Sequence, residues 1–210
     1  MSSSFQNKFP RAWLLFQMTI GATFDKRKLV TRNYQGERKI LEVGCSVGNL
    51  TPAFLSFKNI SYLGIDIDGQ AIGFASKRFA SHPNHNFRHV SLEGLASEGN
   101  KFDYILFAGI LHHVDDATAA ILLNDALKLL SNDGKLIISE PEASRKTDNL
   151  LFKAYALLEQ GEHLRSKEQM LALLKTLPVR IISSEDPLLA LNAIPFPKVI
   201  RFNLIVAKHG

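Results

Sequence analysis

The order of apolar segments predicts an α/β chain built on a doubly wound sheet of seven strands, with helices on both faces. Three observations carry this. Short strand-like runs alternate with segments of helical spacing along most of the sequence. A glycine turn, Gly44 to Gly48, separates the first strand from the helix start that follows it. The last two strands have no helix between them, so they close as a hairpin and leave a mostly parallel sheet with an antiparallel last strand.

The elements follow in order. Ile40, Leu41 and Val43 form a short buried strand, and Thr51 with Pro52 reads as an N-cap and first helical position. A strand, a glycine turn and a helix N-terminus make a nucleotide cradle, because glycine admits a ligand close to the backbone and the helix start offers unpaired N–H groups. Ser61 to Ile67 is the second strand. Its Asp66 stands 22 residues after Gly44, the spacing at which a carboxylate meets ribose hydroxyls. Ala71 to Phe79 is a helix with Ile72, Ala75 and Phe79 inward, and Asn86 to Leu92 a third strand. Glu93 to Lys101 reads as a loop, Phe102 to Phe107 as the fourth strand ending at Ala108 and Gly109.

A long helix starts at Asp115 or Asp116 and runs to Leu130, with Ala120, Leu123, Ala126 and Leu130 on one face. Asn132-Asp133-Gly134 is a turn into the fifth strand, Lys135 to Ser139. Leu150 to Leu158 is an inserted helix, within an insert near 143–165. Ser166-Lys167-Glu168-Gln169 has the form of a capping box opening a helix through Leu177. Val179 to Ser184 and Phe202 to Lys208 are the closing strands, joined by a Pro-rich loop, 187–197.

At 210 residues and 46% hydrophobic the chain buries one substantial core. Residues 39–210 read as one catalytic domain and 1–38 as a helical arm or lid. In the arm, Phe9, Trp13, Phe16, Ile20 and Phe24 recur at helical steps, which fits a packed helix better than a signal peptide. One cysteine excludes a disulfide framework and a Cys-based zinc site, and suits a reducing cytoplasm. No apolar run reaches the length of a membrane span. The net charge of +5 splits into +6 for residues 1–39 and −1 for the rest. That is a solvated charged face, compatible with weak contact between the arm and an anionic membrane surface or an anionic ligand.

Glu42-x-Gly44-x-x-x-Gly48 resembles the first motif of class I S-adenosylmethionine-dependent methyltransferases of the small-molecule type. LGIDID resembles their second motif, FDYILFAGILHHVDD their fourth-strand region and LKLLSNDGKLIISEPE their fifth. The segments keep the family order across about half the chain, with Ser46 where many members carry glycine. The resemblance implies a Rossmann-like fold, S-adenosylmethionine as cofactor and S-adenosylhomocysteine as product. It further implies that Glu42 lies near the methionine amine, and that Gly44, Cys45 and Gly48 line the methionine end beside Ala108. Asp66 is then on the ribose, Ile67 on the adenine, and Glu93 on the adenine amino group.

A sulfonium methyl donor carries its own electrophile, so the protein's work is to align the acceptor. His112 and His113 follow the fourth strand at its carboxyl end and are the candidates for removing an acceptor proton. His82, His85 and His89 have no common zinc spacing and read as surface and strand residues, so no metal site is assigned. Phe107-Ala108-Gly109-Ile110 stands where nucleobase amino-methyltransferases resemble [DN]-P-P-[YF], which argues against nucleic acid as the acceptor. A nicotinamide dehydrogenase would want G-x-G-x-x-G, and the stretch here is G-C-S-V-G-N. The expected acceptor is a small molecule with an apolar body. An RNA or protein methyltransferase, or a silent methyltransferase-like binding domain, are the alternatives.

Overall fold

The computed structural model describes residues 22–142, 163–185 and 201–208. In chain order these form α1 (Ala22–Asn33), β1 (Lys39–Val43), α2 (Thr51–Phe54), β2 (Ser61–Asp66), α3 (Gly69–Arg78), β3 (His85–His89), α4 (Leu92–Ala96) and β4 (Phe102–Ala108). After a 3-10 turn, Leu111–His113, come α5 (Asp116–Leu129), β5 (Leu130–Pro141), α6 (Lys167–Leu174), β6 (Val179–Glu185) and β7 (Arg201–Lys208).

All seven strands join one sheet in the order β3-β2-β1-β4-β5-β7-β6. Strands β1 to β5 are parallel, and β7 is antiparallel to both of its neighbours. The sequence order reverses between β1 and β4, which makes their carboxyl ends the crevice of the doubly wound sheet. Every position of β1 after Lys39 is buried, as expected of a central parallel strand covered on both faces. On one face α1 lays Leu29 and Val30 against Phe54, Tyr62, Tyr104 and Leu106. On the other, Leu92 and Leu95 of α4, Leu123 and Ala126 of α5 and Met170 and Leu174 of α6 pack on Leu41, Ile105 and Ile138.

Several local expectations are corrected. Thr51 is the first helical residue rather than the cap; the N-cap is Leu50, with no side-chain bond, and the Thr51 hydroxyl lies 3.1 Å from the Tyr62 hydroxyl. The third strand stops at His89, and Leu92 opens α4, because Ser91 caps a helix there by accepting from the Gly94 N–H. The stretch taken for a loop after Glu93 therefore begins with a helical turn. Asn132-Asp133-Gly134, expected as a separate turn, lies within β5: Phe102 pairs with Leu130 and Tyr104 with Lys135, so the extra residues bulge out. The inward face of α5 carries Ala119 rather than Ala120. The α6 capping box is complete, with Ser166 and Gln169 each accepting from the other's backbone N–H. The Phe9–Ile20 stripe, the Leu150–Leu158 helix and the 187–197 loop lie outside the described residues.

Among the described residues no helix is long and apolar enough to cross a membrane. At the foot of the sheet the buried Lys135 ammonium ties β5 to the end of α1. It bonds the Asn33 carbonyl and pairs with Glu37 at 2.5 Å. A lysine buried to this extent is tolerated because each of its protons has an acceptor.

Candidate active site

The glycine turn leaves β1 through Gly44, whose φ of +69° is a left-handed conformation that favours glycine. Its N–H and that of Cys45 both donate to the Ile65 carbonyl, at 2.8 and 3.0 Å, stitching the turn to the end of β2. A Cβ at Gly44 would stand 2.1 Å from Ile110 Cδ1, so the loop after β4 closes directly over the turn. Gly48, at φ +75°, faces the Phe79 ring in the same way, at 2.6 Å. Ser46 has φ of 50°, an uncommon conformation for a residue with a side chain.

Asp66 ends β2 beside this turn. One carboxylate oxygen accepts from the Ser46 N–H and the other from the Asp68 N–H, each at 2.9 Å. Burial pushes its pKa up, and the two amide bonds offset part of that. A carboxylate offers about four lone-pair positions. The backbone amides take part of this capacity and orient the group, and the remainder is open to outside donors. Asp68 caps α3 by accepting from Gln70 and Ala71 N–H.

Glu42 is buried and does not pair with Lys39. Its Oε2 accepts from the Tyr62 hydroxyl at 2.6 Å. Burial pushes its pKa up to about 7, with the Tyr62 bond and the charges of Lys26 and Arg27 pulling the other way and Asp66 adding to the rise. The Cys45 thiol, also buried, is raised well above its ordinary value by burial and by Glu42 and Asp66, which suits an inert packing residue rather than a nucleophile.

Two arginines and a lysine that the sequence did not single out hold the rim. Arg27 of α1 donates twice to the Asn49 carbonyl, at 2.8 and 3.1 Å, and Arg78 of α3 to the Val47 and Gly48 carbonyls, at 3.1 and 3.2 Å. Lys26 reaches the Ala108 carbonyl at the end of β4, at 3.0 Å. These bonds tie α1 and α3 to the turn, and α1 to the end of β4.

The loop after β4 is organised by a carboxylate from the next strand. Glu140 Oε1 accepts from the N–H groups of Gly109, Ile110 and Leu111, at 3.2, 2.9 and 3.1 Å, while Oε2 meets His112 Nδ1 at 2.7 Å. Burial alone would raise the Glu140 pKa, but the His112 bond and charge with the loop amides outweigh it and hold it near 2. An ionised carboxylate can only accept, so the His112 proton sits on Nδ1 and Nε2 is the basic nitrogen. His112 is buried, whereas His113 is exposed, its ring centroid 4.0 Å from that of His112.

The structure thus gathers Glu42, Gly44, Cys45, Gly48, Asp66 and Ala108 at the carboxyl ends of β1, β2 and β4, with His112 on the adjoining loop. Ile67, next to Asp66, is 75% exposed, a large apolar side chain set out over the crevice rim. Glu93 lies on the exposed first turn of α4, after β3. Glu140 and Arg165 escaped the sequence reading. Glu140 alone left a signal, as a carboxylate in the otherwise apolar run LIISEP.

Residues 41–136 match a family model described as a methyltransferase domain. The chain is 26% identical over 172 residues to phosphoethanolamine N-methyltransferase 1 of Arabidopsis thaliana, covering 81% of this chain and 34% of that protein. It is 29% identical over 102 residues to a ubiquinone biosynthesis O-methyltransferase of Bartonella tribocorum, covering 48% and 40%. It spans between 19% and 53% of the length of the curated relatives it matches. A TehB-like SAM-dependent methyltransferase from Corynebacterium glutamicum superposes with a TM-score of 0.67 at 16% identity, covering 97% of this chain and 98% of that one, which establishes the fold. By its matched domain, its strand order and its glycine turn, the chain is similar to the class I S-adenosylmethionine-dependent methyltransferases and has their fold.

Proposed function

We propose that the chain transfers a methyl group from S-adenosylmethionine to a small acceptor with an apolar body, by direct in-line transfer to oxygen. The carrying observation is Asp66, a carboxylate at the switch-point crevice that backbone amides of Ser46 and Asp68 hold in place, with acceptor capacity left for the ribose diol. The other residues fit the same group. Glu42 is a carboxylate for the cationic methionine amine, Gly44, Cys45, Gly48 and Ala108 line that end, and exposed Ile67 offers an apolar face to the adenine. Glu93 is the remaining candidate for the adenine amino group. S-adenosylmethionine supplies, when bound, a methyl group activated on a sulfonium.

The chain's own chemistry is proton handling. Glu140 fixes His112 with Nδ1 protonated, so Nε2 takes the proton of an acceptor hydroxyl as that oxygen becomes the nucleophile. His113, exposed on the outer side of the loop, is assigned no proton transfer. A small acceptor accords with relatives named as methyltransferases of phosphoethanolamine and of ubiquinone biosynthesis, and oxygen with the O-methyltransferase among them.

The test is incubation with a metabolite extract and methyl-labelled S-adenosylmethionine. Label should enter an organic-extractable small molecule, His112→Gln should lose roughly 10²–10⁴ in rate, the usual contribution of a positioned base, and His113→Gln should change it little. Label confined to RNA or protein, or a His112→Gln variant as fast as the parent, would overturn the corresponding part of the reading.

A further inference from the structure

We infer that Arg165 is a positioning residue for His112, an assignment that rests on the proposed role of His112 as the proton acceptor. The loop from Gly109 to Val114 is gripped from two sides by opposite charges. The Glu140 carboxylate takes its amides, as described, and the Arg165 guanidinium takes its carbonyls. Arg165 Nη1 donates to the Leu111 carbonyl at 2.6 Å and Nη2 to the Val114 carbonyl at 2.7 Å. Between these, the His163 N–H donates to the carbonyl of His112 itself, at 3.0 Å.

Arg165 is buried, and its fork is filled. Nε pairs with Asp116 Oδ1 at 2.7 Å, and Nη1 also reaches the His163 carbonyl at 3.3 Å. A desolvated guanidinium satisfied by three loop or neighbouring carbonyls and a carboxylate has one orientation. It therefore fixes the backbone on both sides of His112, which in turn sets where the imidazole meets Glu140. Lysine, a single point charge, could hold one of the two loop carbonyls but not both.

The grip also joins distant parts of the chain. Glu142 and Arg165 pair backbone to backbone, so the two ends of the stretch between them meet at this loop, immediately beside the residue that positions the base. Sequence separation between Arg165 and His112 is large, and nothing in the HLRSK context marks the arginine as anything but a surface cation.

The experiment is long-range proton–nitrogen NMR on protein with labelled histidines, the His112 signals assigned with His112→Gln and followed across pH, with S-adenosylhomocysteine binding measured alongside. In the parent chain His112 should hold one tautomer, Nδ1–H. In Arg165→Gln the two tautomers should interconvert, and the titration midpoint should differ from the parent's by about half a pH unit or more. Arg165→Lys should lie between the two. A folded Arg165→Gln protein with an unchanged tautomer and midpoint overturns the proposal. Should Arg165→Gln fail to fold, Asp116→Asn decides, since Asp116 is exposed and only orients the guanidinium. A smaller shift in the same direction supports the proposal, and no shift overturns it. Loss of the broader reading is seen separately, as a parent chain that does not bind S-adenosylhomocysteine whatever His112 does.

Discussion

Gly44 and Ser46 share the left-handed region of backbone space two residues apart, and only one of them is the residue that region favours. Ser46→Gly should therefore raise stability by about 0.5 kcal/mol, the relief of strain exceeding the entropy glycine adds to the unfolded chain. Gly44→Val should abolish S-adenosylhomocysteine binding, because the side chain meets both an unfavourable φ and the Ile110 side chain. Denaturant melts and calorimetric titration of both variants check this, and a Gly44→Val protein that binds normally would place the cradle elsewhere.

Glu42 sets stability against function at the same scale. Its folded pKa of about 7 lies above its ordinary 4.5, chiefly because burial disfavours the charge. The resulting cost is absent below pH 4.5, grows between there and 7, and is full above 7, at about 3 kcal/mol. Glu42→Gln should accordingly be more stable than the parent at pH 8, indistinguishable near pH 4, and weaker for S-adenosylhomocysteine at pH 8. Equal stability at pH 8 would mean that Glu42 carries no buried charge.

At the scale of elements, α1 belongs to the cradle as well as to the cover of the sheet. Leu29 and Val30 are core residues, and Arg27 with Arg78 of α3 holds three successive carbonyls of the glycine turn. Arg27→Gln and Arg78→Gln should each weaken S-adenosylhomocysteine binding roughly fivefold, about 1 kcal/mol, while the neighbouring exposed Lys28→Gln leaves it unchanged. Unaltered affinity in both arginine variants would show that the turn keeps its shape without them.

Elements were legible wherever a local signal agreed with tertiary packing. The Ser166 capping box and the antiparallel pairing of the last two strands have such signals and are present in the structure, and the 22-residue step from Gly44 brings Asp66 beside the glycine turn. The misreadings have physical causes. Thr51 looks like a cap, but its hydroxyl is drawn to Tyr62 across the turn. Leu92 continues an apolar strand by pattern, yet Ser91 caps a helix there. The grip of Glu140 and Arg165 on the histidine loop depends on residues 28 or more positions away, which no window of local sequence contains.

At the scale of the whole molecule, the two buried glutamates shape the pH profile in opposite directions. Glu140, held at about 2 against its ordinary 4.5, contributes stability that is present above pH 4.5 and lost as the pH falls through 2. Glu42 removes stability between 4.5 and 7. Together they place the maximum near pH 4.5 to 5, and Glu140→Gln should flatten the acid limb of a melting series run from pH 2 to 8. An acid limb as steep as the parent's would assign it to other groups.

The central claim is that the β1–β2 crevice is a cradle whose ribose anchor is Asp66. Calorimetric titration of S-adenosylhomocysteine into the parent chain and into Asp66→Ala tests it most directly. Each charge-assisted bond to the ribose contributes about 1.5–3 kcal/mol. One site per chain is expected, with at least a roughly tenfold weaker affinity in the variant, about 1.4 kcal/mol or more, in a protein that still folds. Equal affinity in a folded Asp66→Ala protein, or no binding to the parent chain while NAD binds, would contradict it.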